Sequence, residues 1–127
     1  MSIAAPQYAK FREQVVAEGR VFTFTDGGEL LVYPVSGGET VPFWSSRARL
    51  EAIQRRLPKY QQWAITELSF AKFWACLAKL EREGIQVGVN WSGAQLTGYN
   101  VPVVQLRKWL SYWLDRLEKR SLLDSAG

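Results

Sequence analysis

The 127-residue chain contains no histidine and a single cysteine, Cys76. Without histidine there is no Ser–His or Cys–His catalysis and no His-ligated metal site. A lone cysteine closes no intrachain disulfide, and a reducing compartment is the expectation. Neither a cysteine cluster nor the acidic spacing of a calcium loop is present, so no metal and no cofactor are expected. No apolar run approaches the roughly 18 residues needed to span a bilayer. Residues 1–10 lack a basic region followed by an apolar stretch, so no secretory signal is read there and a cytoplasmic location is expected. Asn90-Trp91-Ser92 matches a glycosylation sequon, which has no chemical meaning without secretion. Charge of neither sign dominates. Sixteen Lys and Arg stand against twelve Asp and Glu, giving +4, a mild excess that speaks mostly to solubility.

What remains is an ordinary globular composition, 47% hydrophobic and 22% charged, in a length that suits one domain. The core is expected over 5–117, with 121–127 a frayed tail. Tyr8, Phe11 and Val15 recur at helical spacing within 5–18, and Gly19 follows as a left-handed stop. Three β-rich runs come next, 20–25, 29–35 and 40–44, separated by Asp26-Gly27-Gly28 and Ser36-Gly37-Gly38-Glu39. They predict a three-stranded meander. Pro34 and Pro42 each remove a ladder donor and point to strand ends or edges. Ser45 or Ser46 caps a helix running to Leu57, which Pro58 ends. A fourth strand is read over 62–68. Ser69 then caps a helix to Glu83, with Phe70, Phe73, Trp74, Leu77 and Leu80 inward. Residues 85–91 alternate strictly and predict a strand with one buried face. Residues 92–100 read as a loop or short hairpin. Pro102 opens a last helix carrying Val103, Leu106, Leu110, Trp113, Leu114 and Leu117 on one side. The order α-β-β-β-α-β-α-β-α predicts a single α+β domain, with helices on a largely antiparallel sheet of about five strands.

Chemistry is sparse. Asp26, Glu29 and Glu39 sit at wet turns, where nothing shifts a carboxyl toward acid–base work. Glu67, between a strand and a helix start, is the acid that an enzyme reading would use first. Cys76 lies mid-helix on the flank of an apolar stripe, away from a helix N-terminus, and reads as a small apolar residue. The Gly-Gly pairs open no helix with a Gly-Lys-Ser/Thr pattern and read as hairpin turns. No catalytic residue is assigned, and the chain is expected not to be an enzyme.

Two constellations point to binding. Trp44, Ser45, Ser46 and Arg47 follow one strand, and Asn90, Trp91, Ser92 and Gly93 end another. Wide rings beside Ser, Gly and Arg are typical protein-binding anchors if Trp44 and Trp91 stay partly exposed. Adjacent strand ends would bring the two segments together. The other constellation, Arg47, Arg49, Arg55, Arg56 and Lys59, lies on and just after the second helix among Trp44, Tyr60 and Trp63. It suits a phosphate backbone, and nucleic-acid binding is the alternative. The first reading is an interaction module for an unidentified protein partner, immunity-like or regulatory. The amphipathic last helix is compatible with a monomer or a homodimer.

Val21-Phe22-Thr23-Phe24, Leu31-Val32-Tyr33-Pro34, Pro42-Phe43-Trp44-Ser45-Ser46-Arg47-Ala48 and Gly88-Val89-Asn90-Trp91-Ser92-Gly93 together resemble the bacterial family catalogued as domain of unknown function 2750. The resemblance covers about residues 5–117. It implies a small bacterial cytoplasmic domain and carries no activity, cofactor or catalytic residue.

Overall fold

A computed structural model describes residues 5–93, 96–112 and 115. The chain runs α1 (Ala5–Glu18), β1 (Arg20–Asp26), β2 (Glu29–Leu30), β3 (Tyr33–Val35), β4 (Gly38–Phe43), α2 (Arg47–Arg56) and one 3-10 turn (Pro58–Tyr60). It continues through β5 (Ala64–Ser69), α3 (Phe70–Arg82), β6 (Gln86–Ser92) and β7 (Thr97–Val101). A fourth helix, α4, occupies residues 103–112. The α+β class and the helix order follow the sequence expectation. Trp113, Leu114, Leu117 and the expected tail 121–127 lie outside the described residues.

The strands form two groups, β2-β1-β5 and β3-β4-β6-β7. Every pairing is antiparallel except β4 with β6, which is parallel. The expected meander is corrected to two separate hairpins. The run 29–35 breaks at Leu31-Val32, so its first half pairs with β1 and its second half with β4. Seven strands result where about five were expected, because that run splits and 97–101 pairs back on β6. Phe22 and Trp44 join the two groups by reciprocal backbone bonds of 2.8 Å. Pro42 lies between Thr40, paired with Tyr33, and Trp44, bridged to Phe22. Having no N–H, it leaves no donor unmet there, and its carbonyl accepts from Thr23 Oγ1 at 2.8 Å. A proline inside this strand is therefore tolerated at the seam between the two groups.

Alternation sends side chains to two cores. Val21, Val41, Phe43, Val87, Val89 and Val101 meet Phe11, Phe73, Leu77 and Leu106 from α1, α3 and α4. On the opposite face, Phe22, Phe24 and Trp44 meet Leu50 and Ile53 of α2, with Tyr60 and Trp91. Three helices thus cover one face and α2 covers the other.

Strand β6 departs from the one-sided burial expected of its alternation, since Val87 to Trp91 are all buried. The register runs from Val89↔Tyr99 to Ser92↔Thr97, so β6 carries one extra residue, a β-bulge. Asn90 sits in the bulge at φ 48°, a left-handed conformation that Asn tolerates better than most residues. The extra residue reverses the facing. Trp91 leaves the face of Val87 and Val89 and enters the second core.

Candidate binding cleft between α2 and the end of β6

The parallel pairing of β4 and β6 brings the segments that follow Phe43 and Val89 side by side. The juxtaposition expected of the two aromatic segments is therefore present. It is made inside the protein. Trp44 is fully buried, packs edge-to-face on Phe24 at 5.3 Å, and its Nε1 donates to the Trp91 carbonyl at 2.8 Å. The Ser45 amide donates to Asn90 Oδ1 at 2.9 Å. Ser45 Oγ accepts from Asn90 Nδ2 at 3.1 Å and donates to Gln14 of α1. Trp91 stacks at a tilt on Tyr33, with ring centroids 5.4 Å apart.

The partial exposure that the anchor reading required of Trp44 and Trp91 is not met. Trp44, Ser45, Asn90 and Trp91 are buried, while Ser46 is half-buried and Arg47, Ser92 and Gly93 are exposed. The physical reason lies in the bulge and the bridge. One turns Trp91 inward, and the other locks Trp44 against β1. These residues form a polar-and-aromatic junction that fixes where the exposed ones stand.

The basic residues divide likewise. Arg47 lies over the Phe22 ring at 5.7 Å, and Lys59 over the Tyr60 ring at 5.2 Å. Arg55 and Arg56 are exposed. Arg49 is half-buried, with a long 3.4 Å contact to Gln7 Oε1. Arg49 and Arg56 are seven residues apart, hence on one side of α2 and about 10 Å apart along its axis. Arg47 is rotated about 160° from Arg49.

Arg49, Ala52, Ile53 and Arg56 form one wall of a cleft of about 180 Å³, closed by Trp91, Ser92 and Gly93. No acidic side chain lines it. Among the described residues neither arginine is in an ion pair. Loss of hydration alone pushes the Arg49 guanidinium below its ordinary pKa. Arginine stays charged at any physiological pH, so this is a partly dehydrated cation with no counter-ion among the described residues. Three of the residues expected to bind protein, Trp91, Ser92 and Gly93, thus meet two of those expected to bind nucleic acid, Arg49 and Arg56. The 49/52/53/56 spacing puts the four α2 residues on one helix face, but nothing in the sequence links that face to 91–93.

The groups weighed for chemistry lie elsewhere. Glu67 is exposed on β5, and its carboxylate pairs with Arg20 at 2.9 Å. Burial pushes the Cys76 thiol up, away from the thiolate form. Among the described residues no three His, Cys, Asp or Glu are grouped to hold a metal ion, and no helix is long and apolar enough to cross a membrane.

No curated protein matches the chain. The hairpins, the Phe-Trp-Ser-Ser-Arg turn into α2 and the Asn-Trp-Ser-Gly bulge all fall within residues 8–110, which match the family described as protein of unknown function (DUF2750), and the chain belongs to that family.

Proposed function

We propose that this domain is a non-catalytic protein-binding module that takes an acidic segment of a partner on the cleft between α2 and the end of β6. The observation that carries the reading is the pair Arg49 and Arg56 at a cleft without acidic lining. Two guanidinium groups about 10 Å apart suit two carboxylates of one chain segment. Ala52, Ile53 and the edge of Trp91 offer apolar contact between them. Half-buried Arg is a frequent energetic anchor at interfaces, because its charge is already partly desolvated before the partner arrives.

A protein is favoured over a nucleic acid by the distribution of the cations. Arg47 and Lys59 are each drawn over an aromatic ring away from the cleft, and Glu51 stands exposed on the same helix. A phosphate backbone asks for a continuous basic track, which this scatter does not offer.

The test compares the wild-type domain with the Arg49→Glu/Arg56→Glu double variant as bait, in lysate with and without nuclease treatment. Both sites are on the helix surface, so thermal unfolding of the variant should stay close to wild type. The expected result is one protein, acidic in the segment that crosslinks to α2, held by wild type and lost by the variant. Its affinity should fall at least about 100-fold, as for charge pairs truncated at a desolvated interface. Equal capture by both baits overturns the reading. Capture that vanishes with nuclease replaces it with the nucleic-acid alternative.

A further inference from the structure

A second hollow lies on the other face, where the two strand groups diverge. Leu30 of β2, Val41 of β4, Leu68 of β5 and Leu80 of α3 form the floor of an open groove of about 650 Å³, with Cys76 in its wall. That volume is within the range of small-molecule sites, about 300–1,000 Å³. The groove has a physical origin. β2 is only two residues long, and Pro42 lies at the seam, so no strand closes the gap between β2 and β4.

The charges on its rim are ordered along α3. Lys72 stands in the first turn, where the helix has no acidic residue. Its own backbone N–H is capped by Ser69 Oγ at 3.3 Å, and the positive pole of the helix adds to its charge. About 16 Å along the axis lies Glu83, one turn beyond Lys79 and of opposite sign, with Glu29 on the facing β2 wall. Among the described residues neither lysine is in an ion pair. The groove therefore has an apolar floor and a charged rim, with Lys72 toward one end of its helical wall and Lys79 and Glu83, about one turn apart, toward the other.

We infer that this groove binds a linear amphiphile, with an anionic head at Lys72 and an apolar chain along Leu30, Val41, Leu68 and Leu80. The inference is independent of the α2 cleft, which lies across the sheet.

Dodecanoate, below its micelle concentration, is the probe. Cys76 is the chain's one cysteine, so the rate of its alkylation by iodoacetamide reports occupancy directly. Dodecanoate should slow that rate severalfold and give a saturable calorimetric isotherm. Dodecanol, which lacks the charge, should bind about fivefold more weakly. Ala75 is exposed and lines the groove. Ala75→Trp should fill the groove and abolish the isotherm. Lys72→Glu, at an exposed side chain, should weaken dodecanoate while leaving dodecanol unchanged, and gives a second reading should the tryptophan variant fail to fold. Unchanged alkylation at high dodecanoate overturns the inference. So does equal affinity for acid and alcohol, or a folded Ala75→Trp protein that binds as wild type does.

Discussion

Trp91 shows how one side chain dictates its neighbours. A Cβ added at Gly88 would stand 2.4 Å from Trp91 Cε2, and one added at Gly98 would stand 2.7 Å from Cδ1. Both glycines are empty because the indole lies across them. No other residue type fits without moving a buried ring that is also held by Tyr33. Gly88→Ala should therefore destabilise the domain by more than about 2 kcal/mol, in line with overpacking of a filled core. Urea denaturation followed by tryptophan fluorescence measures this. The same residue explains a failure of sequence reading. Strict alternation from Val87 placed Trp91 with Val89, and its position beside Ser and Gly suggested exposure. Both inferences assume an uninterrupted strand. Asn90 carries the contrary signal, since Asn before a strand end is one of the few residues at home in a left-handed bulge.

The helices were legible in the sequence because their ends are chemically marked. Gly19, Pro58, Ser69 and Gly84 each fall within a residue or two of an observed terminus. Ser69 acts as read, its Oγ accepting from the Lys72 amide. Ser46 caps α2 by backbone conformation alone, with no side-chain bond. Ser69→Ala should cost about 1 kcal/mol, seen as a shifted urea midpoint with an unchanged slope, whereas Ser46→Ala should cost clearly less. Strand pairing was less legible. The run 29–35 is β-rich throughout, and nothing local says that it will serve two different partners. That division depends on Phe22 meeting Trp44, a contact between segments whose proximity no periodicity encodes. The candidate site shared this fate. Its residues were picked out in two groups, and only the parallel β4–β6 pairing shows that Arg49 and Arg56 face Ser92 and Gly93.

For the molecule as a whole, three buried or half-buried groups bind their protons more tightly folded than unfolded. Burial raises Cys76, Tyr8 and Tyr60 above their ordinary values, and in Tyr8 it outweighs the opposing charge of Arg12. Below those ordinary values both states are protonated and the full contribution is present. Above them the unfolded chain ionises first, so stability falls as pH rises until the folded groups titrate too. The urea midpoint should turn downward above about pH 9 and keep falling through the tyrosine range. Cys76→Ser should remove the earliest part of that decline, and Tyr60→Phe should soften the later part.

The junction of Ser45 with Asn90 has a consequence in time. The hairpins β1–β2, β3–β4 and β6–β7 join near neighbours and close cheaply, whereas Ser45 and Asn90 are 45 residues apart. Long-range closures are entropically slow and gather toward the end of folding. The α2 cleft needs β6 docked on β4, so it is absent from a chain still emerging or partly folded. A partner that reads this cleft is reading completion, and it meets only molecules that have already finished assembling themselves.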